Sequence, residues 1–108
     1  MRSYRILIPL IILTFSFCKR ANVNGTVYTS HHIPIPHQEV LIILGARGHE
    51  NDATASVVTD ENGNFIYNSR ILPRQWIGTI QVDSDSGWYL EKFNGAKKTI
   101  TNLEIIVK

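Results

Sequence analysis

From residue 23 to the end of the chain, no window repeats its apolar residues at helical spacing over three turns, whereas short alternating or wholly apolar runs recur between turn signals. That pattern predicts β structure throughout. Residues 23–29 alternate and are rich in β-branched side chains, and residues 39–47 carry Val40-Leu41-Ile42-Ile43-Leu44, a run short enough for a strand buried on both faces. Further strands are expected over 53–59, 64–68, 76–83, 87–93 and 99–107, about seven in all, at the spacing of a small sandwich. In the last of them Leu103, Ile105 and Val107 share one face, with Glu104 and Ile106 on the other.

The punctuation is specific. Asp60-Glu61-Asn62-Gly63 is a tight-turn signal and predicts a hairpin joining Ser56-Val57-Val58-Thr59 to Asn64-Phe65-Ile66-Tyr67. Pro34 and Pro36 remove two backbone donors and fit a loop or a sheet edge ahead of the Val40 strand. Residues 83–87 and 94–98 read as the other polar turns.

Ahead of this region lies a different kind of segment. Arg2 and Arg5 precede an apolar stretch, residues 6–17, of about 12 residues, the length of a signal-peptide core. As a helix it would reach only ~18 Å, well short of a hydrocarbon core of roughly 30 Å, and Pro9 interrupts it. It ends at Cys18, the chain's 1 cysteine. Phe15-Ser16-Phe17-Cys18 resembles the lipobox of bacterial lipoproteins, with a small residue two positions before the cysteine and a departure at Phe17, where a small residue is usual. The resemblance implies a signal peptide over 1–17, acylation of Cys18, a tether over 18–22 and a domain over 23–108. Lys19 after the cysteine leans, by analogy, toward the outer membrane or its periplasmic face; secretion is the alternative.

A single cysteine allows no intrachain disulfide, so the domain must be held together by its core. The chain has 11 Lys and Arg against 9 Asp and Glu, and the excess of +2 is supplied by Arg2 and Arg5. No net basic charge remains beyond the leader, and no nucleic-acid partner is expected.

Gly25-Thr26-Val27-Tyr28, then residues 34–42, then Thr59-Asp60-Glu61-Asn62-Gly63-Asn64-Phe65 resemble, in order and spacing, the carboxypeptidase regulatory-like domain. His37-Gln38 depart from it where a Gly-Ala pair is usual. The resemblance implies an all-β, Ig-like or transthyretin-like sandwich and a non-catalytic module in cell-surface proteins. An envelope protein is the expected partner, and the membrane is reached through the lipid anchor.

Other candidate sites are weaker. Asp60, Asn62 and Asn64 begin like a calcium loop, but the sixth and twelfth positions are Phe65 and Ile71. The 5-hydroxyisourate hydrolases share the transthyretin-like architecture, yet their Tyr-Arg-Gly-Ser ending is absent, and no Gly-x-Ser-x-Gly elbow occurs. No enzyme and no cofactor are expected. The alternative to an interaction module is a carbohydrate- or metal-binding surface. Trp76 and Trp88 would form its aromatic platform, or His31 and His37 in the proline loop would supply imidazoles. Trp88 and Tyr89, as strand neighbours, should face opposite sides.

Overall fold

The computed structural model describes residues 19–93 and 97–108. The segment 1–17 expected as a signal peptide, Cys18 and part of the turn expected at 94–98 lie outside the described residues. Seven strands follow one another: β1 Lys19–Tyr28, β2 Glu39–Ala46, β3 His49–Val58, β4 Asn64–Ile71, β5 Gln75–Ser84, β6 Gly87–Lys92 and β7 Thr99–Ile106. They form a sandwich of two sheets, one in the order β4-β1-β7 and one in the order β3-β2-β5-β6. All pairings are antiparallel except β1 with β7.

Alternation puts one side of each strand into the gap between the sheets. Val23 and Val27 from β1, Val40 and Ile42 from β2, Ile77, Ile80 and Val82 from β5, and Ile105 from β7 are fully buried there. Each such side chain contributes roughly 1.5–3 kcal/mol of burial free energy. Among the described residues the buried core runs from Ala21 to Val107.

Three expectations require correction. The turn at 60–63 forms as read: Asp60 Oδ1 accepts from the N–H groups of Asn62 (2.8 Å) and Asn64 (2.9 Å), and Gly63 takes φ 78°. The strands it joins do not make a hairpin, however, because β3 pairs with β2 and β4 pairs with β1. Buried Thr59 enforces the crossing. Its hydroxyl donates to the Ile35 carbonyl (2.7 Å) and accepts from the Gln38 N–H (2.8 Å), tying the end of β3 to the loop before β2. Beyond the turn, the Val27 N–H donates to the Gly63 carbonyl (2.9 Å) and draws the chain onto the other sheet.

Residues 19–22, expected as a tether, are the first part of β1. Lys19 stands opposite Ile71 and Asn22 opposite Asn68, and Ala21 is fully buried because it continues the core-facing positions of Val23. Finally, β2 is buried on one face only. Val40, Ile42 and Leu44 point into the core, while Leu41 and Ile43 are half-buried on an outer face shared with polar neighbours such as Ser56, Thr54 and Gln81.

The ends of the sandwich are set by strand direction. β1, β3, β5 and β7 leave the end where Lys19 lies, and β2, β4 and β6 return to it. At that end the Ile77 N–H donates to the Lys97 carbonyl (2.8 Å). At the far end Trp88 and Lys108 exchange two backbone hydrogen bonds of 3.2 Å, which join β6 to the residues after β7. Gly87 makes this closure possible: its φ is 145°, and a Cβ there would lie 2.8 Å from the Lys108 nitrogen.

Candidate functional site

The two tryptophans do not form one platform. Trp76 pairs with Gly45 near the start of β5, and Trp88 pairs with Asp83 near its end, so about 20 Å of strand separates them. Sequence distance along a strand translates directly into this spacing. Trp76 lies over Gly45, where a Cβ would come within 3.1 Å of the indole nitrogen. It borders a depression of about 510 Å³ whose lining includes Gly78, Lys92 and Phe93.

Trp88 has the opposite character. It is 64% exposed on the outer face of β6, with Leu90 45% exposed beside it, while Tyr89 turns inward against the core. The Tyr89 hydroxyl is hydrogen-bonded to Glu91. Burial pushes the phenol well above its ordinary pKa, and the Glu91 hydrogen bond and charge push it further, so it stays protonated at physiological pH.

β6 is an edge strand. The Trp88 N–H and C=O face away from β5, toward Lys108, whereas the Phe93 N–H donates to Gly78 of β5. Backbone groups alternate along an antiparallel strand, so the N–H and C=O of Leu90 also face away from β5. A groove of about 400 Å³ runs beside them, lined by Trp88, Leu90, Glu104 and Ile106. It combines an exposed indole, aliphatic side chains and, at Leu90, backbone groups turned away from β5, those of Trp88 being bonded to Lys108. Those features suit main-chain pairing with an extended segment.

His31 and His37 lie exposed in the loop between β1 and β2. His37 has φ 53° and donates its N–H to the Thr59 carbonyl (3.1 Å), while His32 approaches Glu104 (3.9 Å) and tilts against Tyr28. Among the described residues, no group of three His, Cys, Asp or Glu side chains is placed to hold a metal ion. Cys18 lies outside the described residues.

One surface escaped the sequence reading. The outer face of the β4-β1-β7 sheet carries asparagines whose oxygens are engaged by the protein. Asn24 Oδ1 accepts from the Asn102 N–H (2.8 Å), Asn64 Oδ1 from the Thr26 hydroxyl (2.6 Å), and Asn68 Oδ1 from Arg20 Nε (2.9 Å). Fixing the oxygens of Asn24 and Asn64 leaves their amide nitrogens as donors beside a groove of about 460 Å³ that both residues line. The signal was asparagine at even spacing, 22 and 24 in β1 and 64 and 68 in β4, but only the β1–β4 register shows that the two strands bring them to one face.

No known protein family, curated protein or solved structure matches this chain.

Proposed function

We propose that this chain is a lipid-anchored, non-catalytic module of the bacterial cell envelope, held at the membrane through Cys18 and contacting an envelope protein through the β6 edge. The single observation that carries the interaction reading is Trp88, 64% exposed on an edge strand beside exposed Leu90. Exposed tryptophans at the centre of a contact are characteristic hot spots, and an open strand edge supplies backbone donors and acceptors. The anchor reading rests on the apolar run before Cys18 and on the lipobox-like Phe15-Ser16-Phe17-Cys18. The likeness of residues 25–28, 34–42 and 59–65 to the carboxypeptidase regulatory-like domain supports the same role.

A photo-crosslinking residue at position 90 should give one discrete adduct in intact cells, and Trp88→Ala should abolish it. The same substitution should shift the melting temperature by no more than a few degrees, since an exposed side chain away from special features contributes little to stability. An adduct equally strong from Ser56 on edge strand β3, or one indifferent to Trp88→Ala, would rule out β6 as the contact.

A second reading is favoured by the amide groove of the β4-β1-β7 sheet, whose oriented donors suit an acceptor-rich ligand such as a glycan. In that reading the ligand lies on Asn24 and Asn64, not on Trp76 and Trp88. Glycan-array binding lost on Asn64→Ala and retained on Trp88→Ala would select it.

A further inference from the structure

Charges that cancel along the sequence are sorted by the fold. At the end where β1 begins stand Lys19 and Arg20, with Arg70 directly across from Arg20 on β4. The β2–β3 turn brings Arg47 to the same end, and the entry to β7 brings Lys97 and Lys98. The acids there are Glu50 and Asp52, and Asp52 is engaged by Gln75 (2.6 Å) and Arg74 (3.4 Å). The opposite end carries Glu39, Asp60, Glu61, Asp83, Asp85 and Glu104, against Lys108 and the loop histidines. Glu91 lies between, bonded to Tyr89.

The two ends are too far apart to neutralise each other. A ten-residue strand such as β1 spans about 30 Å. The screening length at physiological salt is only about 8 Å. A surface approaching the Lys19 end therefore meets a basic face, whatever the net charge of the domain.

The geometry points to this end as a docking face for anionic phospholipid headgroups. Its placement favours that partner. β1 starts at Lys19, so one peptide bond separates the strand from Cys18, and there is no slack that would let the domain swing its basic end away from an acylated cysteine. Leu72, 48% exposed in the β4–β5 loop, adds an aliphatic side chain at the same end. This orientation rests on the Cys18 anchor only for what brings the surface near; the charge attraction stands by itself. With the basic end down, Trp88, at the start of β6, lies at the far end, directed away from the bilayer.

The test uses the domain from Lys19 onward, which contains the whole described core and carries no lipid, so its outcome is independent of acylation at Cys18. It should sediment with phosphatidylcholine vesicles containing phosphatidylglycerol, not with phosphatidylcholine alone, and high salt should release it. Arg20→Gln and Arg70→Gln should each lower partitioning about fivefold, the effect of ~1 kcal/mol per basic residue near an anionic surface. Orientation can be read from the two tryptophans. A quencher on the headgroups should dim Trp76 in the Trp88→Phe variant and leave Trp88 bright in the Trp76→Phe variant. Equal sedimentation with neutral vesicles, no sedimentation with anionic ones, or quenching of Trp88 as strong as that of Trp76 would overturn the proposal. Binding to duplex DNA without binding to anionic vesicles would also overturn it, by assigning the end to nucleic acid.

Discussion

Alanine at position 25 is expected to cost about 3 kcal/mol and to lower the melting temperature by roughly 10–25 °C. Gly25 sits inside β1, between Phe65 of β4 and Leu103 of β7. A Cβ there would collide with the Leu103 carbonyl oxygen and lie 2.9 Å from the Leu103 Cβ. The crowding arises from a bulge. Between Val23 and Gly25 the register with β7 moves from Ile100 to Leu103, and Asn102 takes φ 55° with its N–H held by the Asn24 side chain. The added methyl cannot swing clear, because the atoms it meets are backbone and Cβ atoms, not the end of a long side chain. Relief would require β7 to separate from β1, loosening the parallel ladder that carries Ile105 and Val107 into the core. Circular dichroism melts of the two forms measure the effect; an unchanged transition would mean that β7 can move away from β1 without cost.

The second large effect is expected at Ile42. Its side chain is fully buried on β2, opposite Ile80 of β5 and Ala55 of β3, at the centre of the four-stranded sheet. Ile42→Ala removes three carbons from a place where small Ala55 cannot fill the void, so about 3–4 kcal/mol should be lost. Half-buried Leu41, one residue away on the outer face, should cost about 1 kcal/mol when truncated to alanine. Urea unfolding compares them directly. The Ile42→Ala midpoint should fall several times further than that of Leu41→Ala, with similar slopes for both. Equal losses at positions 41 and 42 would contradict the assignment of the inner and outer faces of β2.

That contrast shows which parts of the fold local sequence can specify. Whether a segment is a strand, and which of its faces is apolar, follow from period two. Leu103, Ile105 and Val107 announce their face without reference to any other segment, whereas the unbroken run Val40-Leu41-Ile42-Ile43-Leu44 does not say which of its faces turns inward. Which strands pair is decided at long range. Asp60-Glu61-Asn62-Gly63 has the chemistry of a hairpin turn, but Thr59 and Val27 commit its two flanks to different sheets through partners more than twenty residues away. The cationic Lys19-Arg20 looks like a tether until Ile71 and Arg70 appear beside it.

The same divide governs the candidate sites. That Trp88 and Tyr89 face opposite sides follows from alternation, whereas which of them is exposed, and how far Trp76 lies from Trp88, depend on the register of β5 with its neighbours. The basic end is invisible to a count in which acids and bases cancel. It emerges only when Lys19, Arg70 and Lys97 are brought to one end by β1, by β4 and by the entry to β7. The donor face built on Asn24 and Asn64 is likewise a product of register, since neither residue predicts which group will hold its oxygen.

Attachment through Cys18 is the claim on which the envelope role depends, and intact-mass analysis of the protein recovered from membranes tests it most directly. The account predicts a chain that begins at Cys18 and carries the added mass of acyl groups on that residue, with a Cys18→Ala form that no longer fractionates as a lipoprotein. A mature protein that begins elsewhere, or a Cys18→Ala variant as firmly membrane-bound as the native chain, would contradict it.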